Sequence, residues 1–177
     1  MQEKNKLIRF EEAVLPHLDA AYNLARWLTH NNQDAEDVVQ EAYLRAFKFY
    51  GSFRGGNSRS WLLTIVRNTF YTWLQQNRPH EHTTVFDEEI HGVDSDTDNP
   101  ESILLQGLDN ELLKQALEEL PLEFREVVIL RELEGLSYKE ISTITNLPSG
   151  TVMSRLARAR KRLEQYLANR ISEGGLK

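Results

Sequence analysis

Apolar residues in the first half of the chain recur every three or four positions, which is the spacing of amphipathic helices. The first stripe consists of Phe10, Val14, Leu18, Tyr22, Ala25 and Leu28. Pro16 falls within this stripe and either kinks one helix or starts a second. A further helix is predicted from Asp34, as its N-cap, to Tyr50. Its apolar side consists of Val38, Val39, Ala42, Ala46 and Phe49.

A loop at residues 51–59 leads into a long helix predicted over Ser60–Asn77. The inward side of this helix takes Leu62, Val66, Phe70 and either Trp73 or Leu74. Residues 81–102 then show neither a helical nor a strand period and are rich in Asp, Thr, Ser and Gly, so we predict a linker there. The linker separates a first domain of residues 1–80 from a second domain of residues 103–177.

The second half of the chain also has the period of helices. One helix is predicted over Ile103–Leu120, Pro121 suits the first turn of the next, and Gly135 its end. The sequence "SYKE" at Ser137–Glu140 predicts a capping box that begins a short helix. The turn "NLPSG" then leads into a final helix over Thr151–Ala168. No segment has the pattern of a strand, so the predicted fold is all-α, with two small helical domains joined by an acidic flexible linker.

A capped short helix, a tight turn and a basic helix form the pattern of a helix-turn-helix. In that motif the last helix packs through an apolar back and presents polar and cationic side chains to the major groove. The predicted back consists of Val152, Leu156, Ala159, Leu163 and Tyr166. The residues predicted to reach duplex DNA are Ser149, Thr151, Met153, Ser154, Arg155, Arg158 and Arg162. A solvated basic helix is the alternative, and the combined signals favour DNA binding.

Charge is segregated along the chain, which has 177 residues and a formal net charge of −6. Residues 81–111 contain ten acidic residues and no Lys or Arg, whereas residues 42–80 contain six basic residues and no acid. Residues 148–170 contain six basic residues against the single acid Glu164. Two basic regions on either side of an acidic segment indicate a polyanionic partner that is contacted at two places.

The helix predicted over Ser60–Asn77 has more aromatic residues than one buried stripe needs. A second line along it consists of Thr64, either Arg67 or Asn68, Tyr71, Gln75 and Arg78. Rings that stack on bases beside cations that follow phosphates suit single-stranded nucleic acid. The alternative is that Tyr71 only lies at the rim of the core. The absence of acid from residues 42–80 favours nucleic acid.

What the sequence lacks argues against other classes of protein. It has no cysteine for disulfides or thiolate metal sites, and no apolar run long enough for a secretory signal or a membrane span. His80 and His82 lie near Asp87 and Glu88, but within the predicted linker, so surface histidines are favoured over a metal site. No catalytic motif or phosphate-binding glycine loop is present. We therefore predict a cytoplasmic non-enzyme without cofactor, metal, small-molecule substrate or membrane insertion.

Both halves contain stretches that match one known family in the right order. These stretches are "DAEDVVQEAYLRAFKFYGSFRG", "SWLLTIVRN" and "LEELPLEFREVVILRELEGLSYKEISTITNLPSGTVMSRLARARKRL". They strongly resemble bacterial sigma factors of the extracytoplasmic-function (ECF) group of the sigma-70 family. The resemblance implies a dissociable subunit that binds core RNA polymerase and directs it to promoter DNA. It also implies regulation by an anti-sigma factor, and domains that correspond to the second and fourth of larger sigma factors.

The resemblance further assigns roles to individual residues. The face implied to dock on core polymerase consists of Asp37, Gln40, Glu41, Leu44 and Lys48. The contacts implied with the melted −10 element are Phe53, Arg54, Asn57, Arg67, Asn68, Tyr71 and Arg78. Trp61 is either a further contact or part of the core. The last helix would read the −35 element as duplex, and the linker is either an RNA mimic within the polymerase or a plain tether.

The sequence departs from the family pattern at several positions. The family commonly has Asp four residues after the position of Asn68, followed by a basic cluster, whereas this chain has Thr72 and then two glutamines. These differences imply a weaker or altered −10 preference. Met153 replaces a frequent basic residue, which leaves more of the −35 contact to Arg155 and Arg158. Two rival hypotheses are a stand-alone helix-turn-helix regulator and a protein–protein adaptor.

Overall fold

The computed structural model of the protein describes residues 1–79 and 110–173, and the predicted linker at residues 81–102 lies outside them. Every regular element in these two ranges is helical, which confirms the predicted all-α fold class. The chain divides into two compact units. Among the described residues, the first unit consists mainly of residues 1–79 and the second mainly of residues 110–173, and we use the two names for these two ranges.

The first unit is built from four α-helices within residues 1–79. They are α1 (Gln2–Val14), α2 (Leu18–Thr29), α3 (Asn32–Lys48) and α4 (Ser58–Asn77). A 3-10 turn over Leu15–His17 contains Pro16 and separates α1 from α2, so the proline starts a new helix. A second 3-10 turn over Tyr50–Ser52 follows α3.

Phe10 attaches α1 to the rest of the first unit. Its ring is wholly buried, and the rings of Tyr43, Phe47 and Tyr50 approach it edge-on with centroids 5.1, 5.2 and 5.5 Å away. Edge-to-face pairs at this separation are favourable beyond the area they bury. The remaining buried apolar residues are Val14, Ala21, Leu24, Ala25, Leu28, Ala35, Val38, Ala42, Ala46, Leu62, Leu63, Val66, Phe70 and Leu74.

Three details of the first unit differ from the sequence-based predictions. Asn31, and not Asp34, is the N-cap of α3, because the Asp34 amide already lies in the first turn and donates to Asn31 Oδ1 at 3.0 Å. Phe49 is 53% exposed and lies just past the end of α3, so it does not continue the buried side of that helix. Helix α4 begins two residues earlier than predicted, because Asn57 caps it by accepting a hydrogen bond from the Ser60 amide.

The second unit is also built from four α-helices in the described residues. They are α5 (Asn110–Glu119), α6 (Leu122–Val128), α7 (Tyr138–Thr145) and α8 (Ser149–Glu173). Pro121 is the N-cap of α6, which continues through a π-helical turn at Ile129–Leu133. Gly135 follows with a φ of 68°, a conformation that glycine adopts without strain and that ends the helix as predicted.

Helices α5 and α6 pack against α8. The buried apolar residues are Ala116, Leu117, Leu120, Phe124, Val127, Val128, Ile129, Leu130, Leu136, Ile141, Ile144, Val152, Leu156, Ala159, Leu163 and Leu167. Leu167 therefore continues the buried stripe of α8, and Tyr166 is only half-buried. The part of the first predicted helix at residues 103–109 lies outside the described residues.

Candidate nucleic-acid interfaces

The second unit contains the predicted helix-turn-helix. The Glu140 amide donates to Ser137 Oγ at 3.1 Å, and the Ser137 amide donates to Glu140 Oε1 at 2.9 Å, which confirms the capping box. In the turn, Asn146 adopts a φ of 59°, a left-handed conformation that Asn tolerates better than most residues. The Ser142 hydroxyl donates to the Leu147 carbonyl and closes this turn. The turn thus delivers the chain directly to the start of α8.

Two consecutive residues of the π-helical turn hold both helices of this motif. Arg131 donates from Nη1 to the Leu136 carbonyl at 2.9 Å, and its guanidinium lies 4.3 Å from the ring centroid of Tyr138. Glu132 Oε1 accepts from Arg160 Nη2 at 3.2 Å, in a largely buried ion pair. These roles could not be predicted from the sequence, because Arg160 looks there like one more member of a basic run. Only its burial identifies it as a structural residue.

Most residues predicted to contact duplex DNA lie in the first three turns of α8 with part of their surface exposed. Ser149 is exposed, and Met153, Arg155 and Arg158 are partly exposed. Thr151 is only 6% exposed, so its side chain packs within the protein, and direct base contact does not fit its position. Ser154 is partly exposed, and its hydroxyl donates back to the Thr151 carbonyl at 3.0 Å.

Arg162 lies two helical turns beyond Arg155 and away from the opening turns of α8. Its guanidinium is 4.9 Å from the ring centroid of Phe124. It also borders a cavity of about 410 Å³, lined by Ala116, Glu119, Leu120, Pro121, Arg162, Gln165, Tyr166 and Asn169. The structure therefore places Arg162 beside this cavity, and the predicted contact with duplex DNA is better supported for Arg155 and Arg158.

A carboxylate at the start of α6 lies within the electrostatic influence of Arg155. Burial raises the pKa of the Glu123 carboxyl above its usual value, and a hydrogen bond with its own backbone and then the positive charge of Arg155 oppose that shift. Glu123 Oε1 is buried without a hydrogen-bond partner.

In the first unit, Tyr71 lies on α4 between the core and the surface. The wholly buried ring of Phe70 meets it edge-on with centroids 5.3 Å apart, and the Arg67 guanidinium lies 4.6 Å from its centroid. Asn68 is exposed on the same helix. Tyr71 thus touches the core with one part of its ring and remains partly exposed, next to a cation. This arrangement can present a stacking surface beside a phosphate-binding group.

Arg78 has a different position from the one predicted for it. Its Nη2 donates to Asp34 Oδ2 at 2.6 Å, its Nη1 donates to the Thr29 carbonyl at 3.3 Å, and its guanidinium lies 5.1 Å from the Trp73 centroid. A phosphate contact does not fit this geometry, because the same nitrogens already bind the protein. Arg78 instead joins the end of α4 to the start of α3.

The loop between α3 and α4 contains the remaining predicted contacts with single-stranded DNA. Arg54 is exposed, Phe53 is half-buried, and the Asn57 side-chain oxygen is occupied in capping α4. Trp61 packs against Phe53 with ring centroids 4.9 Å apart, so it belongs to the support of the loop.

The five residues predicted to dock on a partner protein lie on one face of α3. Asp37, Gln40, Glu41, Leu44 and Lys48 are all exposed. Leu44 is 63% exposed, which is unusual for a large apolar side chain surrounded by polar ones. Glu41 pairs with Arg45 one turn later at 3.1 Å. Such a face, with an apolar centre and a charged rim, is typical of a protein–protein contact.

The described residues contain neither a metal-binding cluster nor a membrane-spanning helix. Within residues 1–79 and 110–173, no group of three or more His, Asp or Glu residues is arranged to hold a metal ion. No helix in those ranges is long and apolar enough to cross a bilayer.

His17 is a partly buried histidine near the start of α4. Its Nε2 lies 3.2 Å from Ser58 Oγ, and burial, followed by the nearby charge of Arg59, lowers the pKa of this histidine.

Both units match family models. Residues 13–79 match the model of sigma-70 region 2, and residues 110–163 match the model of sigma-70 region 4. Each match therefore falls within one of the two described ranges and contains one of the two candidate interfaces.

Several known proteins are similar to most of this chain. It is 37% identical over 164 residues to the ECF RNA polymerase sigma factor SigE of Mycolicibacterium smegmatis, covering 93% of this chain and 63% of that protein. It is 34% identical over 165 residues to the RNA polymerase sigma-H factor of Pseudomonas aeruginosa, covering 89% of this chain and 86% of that protein. It is 38% identical over 138 residues to the ECF RNA polymerase sigma-E factor of Escherichia coli K12, covering 74% of this chain and 72% of that protein. The chain thus spans less than two thirds of the length of the first of these relatives.

Two solved structures have a similar fold. The co-crystal structure of the sigma factor RpoE in complex with the anti-sigma factor NepR, from Bartonella quintana, matches with a TM-score of 0.70 and 32% identity, covering 90% of this chain and 97% of that one. The structure of CnrH in complex with the cytosolic domain of CnrY matches with a TM-score of 0.63 over 90% of this chain and 88% of that one. At 23% identity, the second likeness concerns the fold alone.

Proposed function

Because this chain belongs to the ECF group of the sigma-70 family of RNA polymerase sigma factors, we propose that it binds core RNA polymerase and directs it to specific promoters. The family consists of transcription initiation factors and not of enzymes, so the chemistry of RNA synthesis belongs to the polymerase. In this proposal the protein supplies promoter recognition and helps to separate the DNA strands.

The observation that supports the proposal is the presence of two different candidate nucleic-acid interfaces in one chain. The second unit has a capped helix-turn-helix with arginines on α8, which suits the major groove of a duplex. The first unit has a tyrosine beside an arginine on α4 and a glycine-containing loop before it, which suit an unpaired strand. A promoter that is paired upstream and melted downstream offers both targets to the same protein.

The upstream contact is proposed to depend on α8. Ser149 and Met153 would face base edges near the helix start, and Arg155 and Arg158 would bind phosphates or base edges. Two residues of the π-helical turn would keep α7 and α8 in the orientation that this contact requires. Arg131 holds the start of α7 through the Leu136 carbonyl, and Glu132 holds α8 through Arg160.

The downstream contact is proposed to depend on the loop before α4 and on the exposed side of α4 itself. Arg54 would reach the strand from the loop, and Arg67, Asn68 and Tyr71 would follow it along the helix. Because α4 has no Asp or Glu, nothing on this helix repels phosphates.

Docking on core polymerase is proposed to use the exposed face of α3. Leu44 would supply the buried apolar centre of the contact, with Asp37, Gln40, Glu41 and Lys48 around it. Hydrophobic centres with polar rims are the usual anatomy of such interfaces. We further propose residues 1–80 and 103–177 as the two functional domains, the acidic residues 81–102 as the tether between them, and the cytoplasm as the site of action.

Regulation by an anti-sigma factor is the remaining part of the proposal. The RpoE protein that is 32% identical to this chain was crystallised in complex with an anti-sigma factor. A partner of that kind would act by covering the surfaces that bind polymerase or DNA.

Run-off transcription tests the proposal directly. Core RNA polymerase is incubated with genomic DNA with and without the protein, and the start sites of the transcripts are mapped. We expect a new set of start sites that share an upstream and a downstream element. Unchanged start sites would overturn the proposal, and tight, specific promoter binding by the protein without polymerase would favour a stand-alone regulator.

A further inference from the structure

The loop between α3 and α4 is clamped at one end by three aromatic rings. Phe53 packs against both Tyr50 and Trp61, with ring centroids 5.9 and 4.9 Å away and interplanar angles of 28° and 42°. Tyr50 and Trp61 also meet edge-on at 6.2 Å. At the other end of the loop, Asn57 caps α4 through the Ser60 amide at 3.0 Å. Only the tip between these two fixed ends is left for a ligand.

The tip consists of Arg54, Gly55 and Gly56, all of which are exposed. The glycines have φ values of 84° and 86°, where any other residue would be strained. A Cβ added to either glycine would meet nothing within 4 Å. The glycines are therefore needed for the path of the backbone and not for close packing, and the open space beside them is available to a nucleobase.

Tyr50 connects this loop to the N-terminal helix. Its ring meets the wholly buried Phe10 edge-on at 5.5 Å, and its hydroxyl donates to the Arg9 carbonyl at 3.2 Å. Its own carbonyl accepts from the Phe53 amide at 3.0 Å. Tyr50 thus contacts a fixed point in α1 on one side and the base of the loop on the other.

We propose that Tyr50 is a positioning residue for recognition of the unpaired base. Held by Phe10, its ring fixes Phe53, and Phe53 in turn sets the direction in which Arg54, Gly55 and Gly56 leave the core. This inference rests on the proposed function of the loop in −10 recognition. The inference also changes the role of Phe53. Because its ring packs against those of Tyr50 and Trp61, Phe53 supports the tip of the loop instead of stacking on the base.

Tyr43 provides a matched control for this role. Its ring also meets Phe10 edge-on, with centroids 5.1 Å apart, but it lies on α3 outside the loop. Among the described residues its ring contacts that of Phe10, whereas Tyr50 also contacts Phe53 and Trp61. Loss of either ring disturbs the packing of Phe10, and only loss of the Tyr50 ring releases the loop.

The test compares Tyr50→Leu, Tyr50→Phe and Tyr43→Leu as holoenzymes formed with core RNA polymerase. Each binds single-stranded oligonucleotides that carry the −10 element of a mapped promoter, with one base replaced at a time. We expect Tyr50→Leu to reduce discrimination at one position by about tenfold, the size of one good base contact. Tyr50→Phe should restore it because the ring stack remains, and Tyr43→Leu should keep it despite a similar loss of thermal stability.

The possible outcomes distinguish this inference from the function on which it rests. Equal loss of discrimination in Tyr50→Leu and Tyr43→Leu would show that Tyr50 acts only as a core residue and would overturn the inference. Unchanged discrimination in Tyr50→Leu would overturn it as well. If the wild-type holoenzyme discriminates no better than core polymerase alone, −10 recognition by this protein is itself refuted, and the inference with it.

Discussion

Arg78 Nη2 donates to Asp34 Oδ2 across 2.6 Å, and this ion pair joins the residue that ends α4 to the first turn of α3. The two side chains are only 31% and 25% exposed, so water screens the pair less than a pair on an open surface. The aspartate also lies at the helix end where a negative charge is favourable. The contact thus connects the helix proposed to bind DNA with the helix proposed to bind polymerase.

Arg78→Ala and Asp34→Ala are each expected to lower the free energy of unfolding of the first unit by about 1 kcal/mol. All three tryptophans, Trp27, Trp61 and Trp73, lie in this unit, so tryptophan fluorescence in urea reports on it selectively. The double variant should lose less than the sum of the two single losses, because both remove the same interaction. If the loss in the double variant equals the sum of the two single losses, the pair contributes nothing to stability. The control is Arg54→Ala, which removes an exposed arginine of the same unit.

Arg158→Ala is expected to weaken binding of the holoenzyme to duplex DNA that contains the upstream element. Loss of one phosphate contact should also lower the slope of log K against log salt by about one unit. The control is Arg160→Ala on the same helix, since Arg160 is paired with Glu132 and should affect stability but not the slope. An unchanged slope in Arg158→Ala would remove this arginine from the phosphate contacts.

Tyr71→Ala is expected to impair formation of the open complex more than binding to the closed promoter. The ring is proposed to stack on an unpaired base, and such a stack is worth about 1–3 kcal/mol. Tyr71→Phe keeps the ring and its contacts with Phe70 and Arg67, so it should retain most of the activity. Permanganate footprinting measures melting, and filter binding measures the closed complex. An equal loss in both assays would assign Tyr71 to the core.

Leu44→Asp is expected to weaken binding to core RNA polymerase by at least tenfold without lowering the melting temperature. Leu44 is 63% exposed, so little packing is lost in the free protein, whereas a charge in the centre of an interface is costly. Affinity is measured by fluorescence anisotropy of the labelled protein. The control, Leu133→Asp, changes another exposed leucine, which lies in the second unit. Similar weakening by both variants would argue against a specific role of α3.

The first unit is expected to lose stability as the pH falls below about 6.5, the ordinary pKa of histidine. Burial, and secondarily the charge of Arg59, lowers the pKa of His17 in the folded protein. Below pH 6.5 the unfolded chain therefore binds a proton that the folded chain does not, and the free energy of unfolding decreases. Above that pH both states are neutral and the effect vanishes. Urea unfolding measures the free energy of unfolding at pH 7.5 and at pH 5.5. The difference between these two values should be smaller for His17→Gln than for the wild type, and equal differences would exclude His17 as the cause.

The features that could be predicted from the sequence depend on neighbouring residues. The spacing of apolar residues defines which face of a helix is buried, because burial repeats with the helical turn. The capping box of Ser137 and Glu140 and the helix end at Gly135 are likewise decided within a few positions. The family resemblance was also present in the sequence, since it rests on such local motifs in a fixed order.

Other features depend on residues that are distant in the chain, and only the tertiary structure decided them. Arg78 meets Asp34 across 44 positions, and Arg160 meets Glu132 across 28, so two arginines that looked like DNA contacts or surface charge are structural. Tyr50 reaches Arg9 and Phe10 across about 40 positions, and this contact makes it a support of the loop. A charged or aromatic side chain has the same appearance in a sequence whether it faces solvent or a partner. Its neighbours in space determine which of the two it does.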